Sequence, residues 1–379
     1  MGTKNTVKVD HKELKQTIEH LYDARLPLFV WGTFGIGKTY AFAEVSKAIA
    51  ARKELRYTED IHEASKETFV FKSILLHEFD PAEVGLPVPN TERKVLEFFG
   101  SDMFPKEGQG IILLDEINLA PALTQANFYQ LIREGIIGKI NYKLPEGFVC
   151  FAAGNTIEDR AHTSEMAMPL KNRFGHVELL CPTAASWARE FAIPNGLDLR
   201  ITNFLQWREE YIHKYDSDMM EEVYAIPTPR TWEYASKAIK GIEDLDLVAR
   251  YAGSYVSDTI GKELADFCKM INSYDIEKIY QDKKLLNIKG VEVKAPTEPD
   301  QKFALIAGLI SYYQKQLKKD KVEVTKEYTN TLCELIKLFD KESAIMILYQ
   351  VMDTNKKFWE ILEPAMRKDI TKNYLHILL

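Results

Sequence analysis

Paired cysteines and long apolar runs are both missing from this chain of 379 residues. The four cysteines, Cys150, Cys181, Cys268 and Cys333, stand far apart, which argues against a short-spaced zinc motif and a disulfide framework and leaves core thiols as the expectation. No run of about 18 apolar residues occurs, so no membrane-spanning helix is expected. The opening MGTKNTVKVDHKELKQ is polar and lacks the apolar stretch of a secretory leader, which makes the cytoplasm the expected location. Met1-Gly2 is followed by Asn5 and Thr6, a poor acylation signal, and no lipid anchor is read from it. A basic excess is missing too. With 49 Lys and Arg against 56 Asp and Glu the formal net charge is -7, which removes the general reason to expect a nucleic-acid partner and leaves room only for a local basic patch. His162 and His176 have no companions at ligand spacing, so no transition metal is assigned and loop or packing roles are expected. Internal repeats and low-complexity segments are also lacking.

What remains is an ordinary globular composition, 46% hydrophobic and 28% charged. Single hydrophobic cores stop growing near about 250 residues, so more than one packed unit is expected. Pro27 to Trp31 is continuously apolar and stops at Gly32, the pattern of a short buried strand, and Thr39 to Arg52 has helical periodicity. Phe69 to Leu76, after a charged helix-like stretch, reads as the next strand. Phe79 to Pro89 is rich in turn formers and reads as a surface insertion before another helical stretch. Gly110 to Leu114 is a third strand, ending at Asp115 and Glu116. Pro121 to Arg133 reads as a helix, and Glu134 to Gly147 as a small projecting hairpin. Phe148 to Ala153 and Val177 to Leu180 complete a largely parallel five-stranded sheet with helices on both faces. Beyond Cys181-Pro182 the pattern becomes helical, over 183–215, 229–280, 302–317 and 327–370, with a connecting loop from Asn287 to Pro299. The expected division is an α/β core over 1–182, a helical lid over 183–285, and a C-terminal helical extension over 286–379 that either continues the lid or forms a partner-binding module.

Gly32-Thr33-Phe34-Gly35-Ile36-Gly37-Lys38-Thr39 fits G-x-x-x-x-G-K-[ST] between an expected strand and an expected helix. Glycines let successive backbone N–H groups wrap phosphate oxygens, and a helix N-terminus adds favourable partial charge. Lys38 would reach the β- and γ-phosphates of ATP, and Thr39 would ligate Mg2+. Asp115 and Glu116 sit where a strand delivers side chains to the same sheet edge. Asp115 suits the magnesium shell, and Glu116 suits polarising the attacking water. Asn155, at the end of the next strand, either satisfies a local turn or hydrogen-bonds the water or the γ-phosphate. Arg173, in Lys171-Asn172-Arg173-Phe174, is either a solubilising charge or a guanidinium offered to a neighbouring subunit.

Four features in this order carry a family resemblance: the phosphate loop, Leu113-Leu114-Asp115-Glu116-Ile117-Asn118-Leu119-Ala120, the strand ending Ala153-Gly154-Asn155, and Pro169-Leu170-Lys171-Asn172-Arg173-Phe174. Over roughly residues 25 to 235 the chain resembles the AAA+ ATPases, in the branch called MoxR-like or dynein-related, whose core is a three-layer αβα P-loop NTPase fold. The resemblance implies that Gly32 to Thr39 is the Walker A element and Asp115-Glu116 the Walker B element. It further implies that Asn155 is the polar sensor and Arg173 the arginine finger supplied across a ring interface. Arg160 is a second candidate for that interface or for loop anchoring. Pro229-Arg230-Thr231 resembles the start of the lid helix carrying a second sensor, which makes Arg230 a candidate γ-phosphate contact beside its reading as a surface arginine. The Asp80 to Pro89 loop and the Gly135 to Pro145 hairpin resemble insertions that face the pore or a partner. The implied function is ATP hydrolysis coupled to remodelling or chaperone-like activation of a protein client, with a von Willebrand A-type domain protein as one candidate partner and a hexameric ring as the assembly. A nucleic-acid-directed motor and a nucleotide-gated structural protein with little turnover stand as the alternatives.

Overall fold

The computed structural model describes residues 6–78, 85–100, 102–156, 168–214, 224–317, 322–355 and 357–374. The chain forms two compact units, residues 1–182 and 183–379. Strands of the first unit are β1 (Val7–Val9), β2 (Leu28–Trp31), β3 (Arg56–Thr58), β4 (Thr68–Leu75), β5 (Gly85–Asn90), β6 (Val95–Gly100), β7 (Gln109–Asp115), β8 (Ile136–Ile137), β9 (Tyr142–Lys143), β10 (Gly147–Gly154) and β11 (Gly175–Leu179). Seven of them make one sheet in the order β1-β11-β2-β10-β7-β4-β3. Every neighbouring pair in it is parallel.

A parallel sheet covered on both faces calls for strands apolar at every position, and the period of two then sorts the run into two cores. In β7, Ile111 and Leu113 join Val30, Phe151 and Ala153 under Leu14 and Ile18 of helix His11–Asp23 and Phe42, Val45 and Ile49 of helix Lys38–Arg52. The alternate residues Ile112 and Leu114 join Phe29, Cys150 and Ala152 under Phe128 and Leu131 of helix Ala122–Glu134. Three layers, helix over sheet over helix, follow from this one alternation.

The sheet has seven strands rather than the expected five. Both additions are three-residue edges: β1 exposes Val7 and buries only Val9, and β3 reads Arg-Tyr-Thr. Short, partly charged edge strands blunt further pairing but leave no apolar run to read. Two local readings also change. The charged stretch before β4 is not a helix: Glu54, at φ 57°, follows the helix ending at Arg52, and β3 and a single 3-10 turn over Ile61–Glu63 occupy the segment. The residues after Pro89 are not helical either, because Val95–Gly100 pairs antiparallel with Gly85–Asn90. In a two-stranded ribbon the missing N–H groups of Pro87 and Pro89 are tolerated at an open edge. The expected small hairpin is β8 paired with β9.

The second unit is helical. Described helices include Leu199–Trp207, Pro229–Ile239, Leu245–Val256, Asp258–Ile271, Pro299–Leu317, Val322–Leu335 and Lys341–Thr354. Helix Pro299–Leu317 packs on both Leu199–Trp207 and Asp258–Ile271, so residues on either side of position 285 share one body. Trp232 is fully buried and donates its indole N–H to Tyr211 O at 2.6 Å. No helix among the described residues is long and apolar enough to cross a membrane. Cys150, Cys268 and Cys333 are buried and Cys181 half-buried, and burial pushes each of the four thiols up to about 12.

Helix Lys341–Thr354 is capped by Asp340, whose carboxylate accepts from Ser343 N at 3.0 Å and from Ser343 Oγ at 2.8 Å. The backbone N–H bond, and behind it the Ser343 hydroxyl and Lys302, hold this carboxyl down to about 2. A depressed folded value means that the stabilisation is present above the unfolded carboxyl value and is lost as pH falls through the folded one. Asp340→Ala should cost about 1 kcal/mol at neutral pH. Urea unfolding should show this deficit shrinking as pH drops from about 4 toward 2.

Candidate functional site

The loop from Gly32 to Gly37 leaves the end of β2 and enters helix Lys38–Arg52. Gly35 and Gly37 hold φ of 72° and 94°, values that side chains disfavour. At Gly32 the obstacle is space, since a Cβ would lie 2.8 Å from Ile36 Cδ1 and 3.1 Å from Leu179 O. The helix has Gly37 as its N-cap, a residue with no side chain to cap the first turn. A cradle of backbone donors at a helix start is suited to an anion.

Lys38 is buried, and an ammonium has three protons to place. Its Nζ donates to Gly32 O at 2.7 Å, Thr33 O at 2.9 Å and Asn155 Oδ1 at 3.0 Å. Thr39 Oγ1 donates to Asp115 Oδ2 at 2.6 Å, and Asp115 Oδ1 accepts from Glu116 N at 3.0 Å. These contacts exist because β2, β10 and β7 are consecutive in the sheet and parallel, which brings their carboxyl ends to one edge. Lys38 and Asn155 are therefore brought together, as are Thr39 and Asp115, and Glu116 follows Asp115 directly. Glu116 sits at φ 54°, half-buried, on the first residue past the strand.

Asn118 is the residue that sequence reasoning passed over. It is buried, its Nδ2 donates to Asn155 O at 2.9 Å, and its Oδ1 accepts no hydrogen bond among the described residues. With Ile117 N bonded to Ala153 O at 3.3 Å, it ties the turn after β7 to the end of β10. His11 is the second omission, its Nε2 lying 2.8 Å from Ile36 O in the glycine loop. Neither has a local signal, because each contact joins residues far apart in sequence.

Arg173 is half-buried. Its Nη1 donates to Tyr129 O at 2.9 Å and its guanidinium lies 3.3 Å from the Tyr129 ring centroid, a cation–π contact within its own chain. His176 has a packing role: Trp31 Nε1 donates to its Nδ1 at 3.0 Å, which leaves Nε2 to donate to Lys171 O at 2.7 Å. Arg230 is exposed in the first turn of helix Pro229–Ile239, in the second unit. Arg160, His162 and residues 79–84 of the expected insertion lie outside the described residues.

The fold expected from the sequence, a P-loop NTPase αβα core followed by helices, is the one observed. No family model matches the chain, and no curated protein matches it. Among solved structures, NtrX from Brucella abortus in complex with ADP is similar at 16% identity over 92% of this chain and 68% of that one, with a TM-score of 0.36. A Cytophaga hutchinsonii structure shares 14% identity over 97% of this chain and 82% of that one, with a TM-score of 0.32. A point mutant of RuvB from Thermotoga maritima shares 13% identity over 71% of this chain and 77% of that one, with a TM-score of 0.32. At these scores the likeness carries no conclusion about activity.

A Cβ at Gly154 would meet Asn118 Oδ1 at 2.4 Å and Phe29 Cζ at 2.8 Å, both in packed surroundings. Gly154→Ala should therefore push the Asn118 and Asn155 side chains out of place and cost about 1–3 kcal/mol in urea unfolding. A melt indistinguishable from the parent would show that this turn is looser than described.

Proposed function

We propose that the chain is an ATPase of the AAA+ class, binding ATP at Gly32 to Thr39 and hydrolysing it at the edge formed by Asp115, Glu116 and Asn155. The observation that carries this reading is the 2.6 Å contact between Thr39 Oγ1 and Asp115 Oδ2, because it sets an alcohol and a carboxylate oxygen side by side next to a backbone anion cradle. Two adjacent hard oxygens beside a phosphate site fit Mg2+, which takes one or two protein ligands and completes its shell with phosphate oxygens and water. When bound there, Mg2+ would neutralise charge on the β- and γ-phosphates.

The chain's own groups divide the remaining work. Lys38 supplies a point charge for the phosphates in exchange for its bonds to Gly32 O and Thr33 O. Asn155 Oδ1 accepts from Lys38 and its main-chain carbonyl accepts from Asn118, so side chain and backbone are both held before any water or phosphate meets them. Glu116 is the carboxylate that polarises the attacking water in this reading. Lys38→Ala should weaken ATP binding by at least tenfold and remove turnover. Glu116→Gln should keep binding within about threefold and cut turnover by about 10^2 or more. Turnover by Glu116→Gln equal to the parent, in a phosphate-release assay, would remove that residue from the mechanism.

The finer reading is a MoxR-like ring, with Arg173 offered to the nucleotide of a neighbouring subunit and a protein client remodelled by the cycle. The order of motifs supports it, as does the partial exposure of Arg173. In this role the guanidinium exchanges Tyr129 for the neighbour's phosphate, and its loss should reduce turnover by about 10^3 or more. Mixing Arg173→Ala with Glu116→Gln protein should restore part of the activity that each lacks, because one contributes the arginine and the other an intact site. Co-assembled mixtures that stay inactive would contradict a trans-acting Arg173.

A further inference from the structure

We infer that His11 is a positioning residue for the phosphate loop, holding the Ile36–Gly37 peptide so that the Gly37 N–H is presented for phosphate. The inference rests on the ATP-binding reading above. Its starting point is the 2.8 Å separation of His11 Nε2 and Ile36 O, 25 residues apart in the chain. A carbonyl oxygen only accepts, so Nε2 carries the proton and donates.

The consequence follows from peptide geometry. In a planar trans peptide the C=O of one residue and the N–H of the next point to opposite sides. A donor that fixes the Ile36 carbonyl toward helix His11–Asp23 therefore fixes the Gly37 N–H away from that helix. Gly37 is the residue whose peptide most needs such control, because it sits at φ 94° and lacks a side chain to restrain it. The imidazole lies against this glycine, with Nε2 3.5 Å from the position of a Gly37 Cβ.

His11 is itself held firmly. It is the first residue of its helix, next to Asp10, which accepts from Glu13 N at 2.8 Å while its own N–H donates to Glu13 Oε2 at 2.9 Å. Further along, Leu14, Ile18 and Tyr22 are buried, and Tyr22 OH donates to Gly147 O at 3.1 Å. Arg52, the last residue of the helix that begins at Lys38, bonds Glu19 at 2.9 Å and Asp23 at 2.8 Å. On the other side β1 pairs with β11, which pairs with β2. The edge strand and first helix together make a brace, and a histidine donor carries that brace to the carbonyl of the glycine turn.

The test compares His11→Phe, which keeps the ring and removes the donor, with His11→Gln, whose amide can donate. Fluorescent ADP binding to the full chain should weaken about tenfold in His11→Phe and stay within about threefold of the parent in His11→Gln. The KM for ATP should rise in His11→Phe while kcat changes little, since the bond serves phosphate binding in ground and transition states alike. Selective 15N-histidine labelling of the parent should show His11 as the Nε2–H tautomer, a readout independent of how either variant folds. Unchanged binding by His11→Phe, equal loss in both variants, or an Nδ1–H tautomer each overturns the assignment. Failure of the parent to bind nucleotide, with Lys38→Ala no different, instead overturns the ATP reading and this inference with it.

Discussion

Three parallel strands ending at one level are the constraint on which the rest of this site depends. β2, β10 and β7 lie side by side, and each ends in a residue or loop that reaches its neighbour: Lys38 to Asn155, Thr39 to Asp115, Asn118 to Asn155. None of these bonds could form if its strand were reversed, and the two to Asn155 require that β10 itself lie between β2 and β7. The apolar runs that build the sheet therefore decide the chemistry indirectly. Ile111 to Leu114 carry no polar side chain, yet their burial on two faces is what delivers Asp115 to the edge.

Burying Lys38 is tolerable only because all three of its protons find oxygen within the loop or on Asn155. The same set of bonds keeps the glycine loop folded around the ammonium. Asn155 thus links the loop to the sheet, and Asn118 behind it carries a buried oxygen that accepts no hydrogen bond among the described residues. Strain is present at Glu116, a non-glycine residue in the left-handed region. Both lie on the two residues flanking Ile117, between the strand and the helix it feeds.

What could be read from the sequence was what is local. The glycine loop, the carboxylates after Leu114 and the asparagine after Gly154 are each written within a few residues, and an apolar strand beside them shows where they emerge. β1 and β3 escaped because three residues at a sheet edge carry too little apolar pattern to read. His11, Asn118 and the Tyr129 partner of Arg173 escaped for a different reason: their contacts span 25, 37 and 44 residues and exist only once the sheet order is known. The helical second unit showed its periodicity but not its packing, since helix Pro299–Leu317 joins helices on the far side of a loop that reads as a connector.

The central claim is that Thr39 and Asp115 form the metal end of a nucleotide site whose other end is the glycine loop. A crystal structure of the chain grown with a non-hydrolysable ATP analogue and Mn2+, located by its anomalous scattering, tests it directly. The account predicts Mn2+ in direct coordination with Thr39 Oγ1, close to Asp115, with the β- and γ-phosphates against Lys38 and the N–H groups of Gly35 to Thr39. A nucleotide bound elsewhere, or a metal with no contact to Thr39 or Asp115, would contradict it.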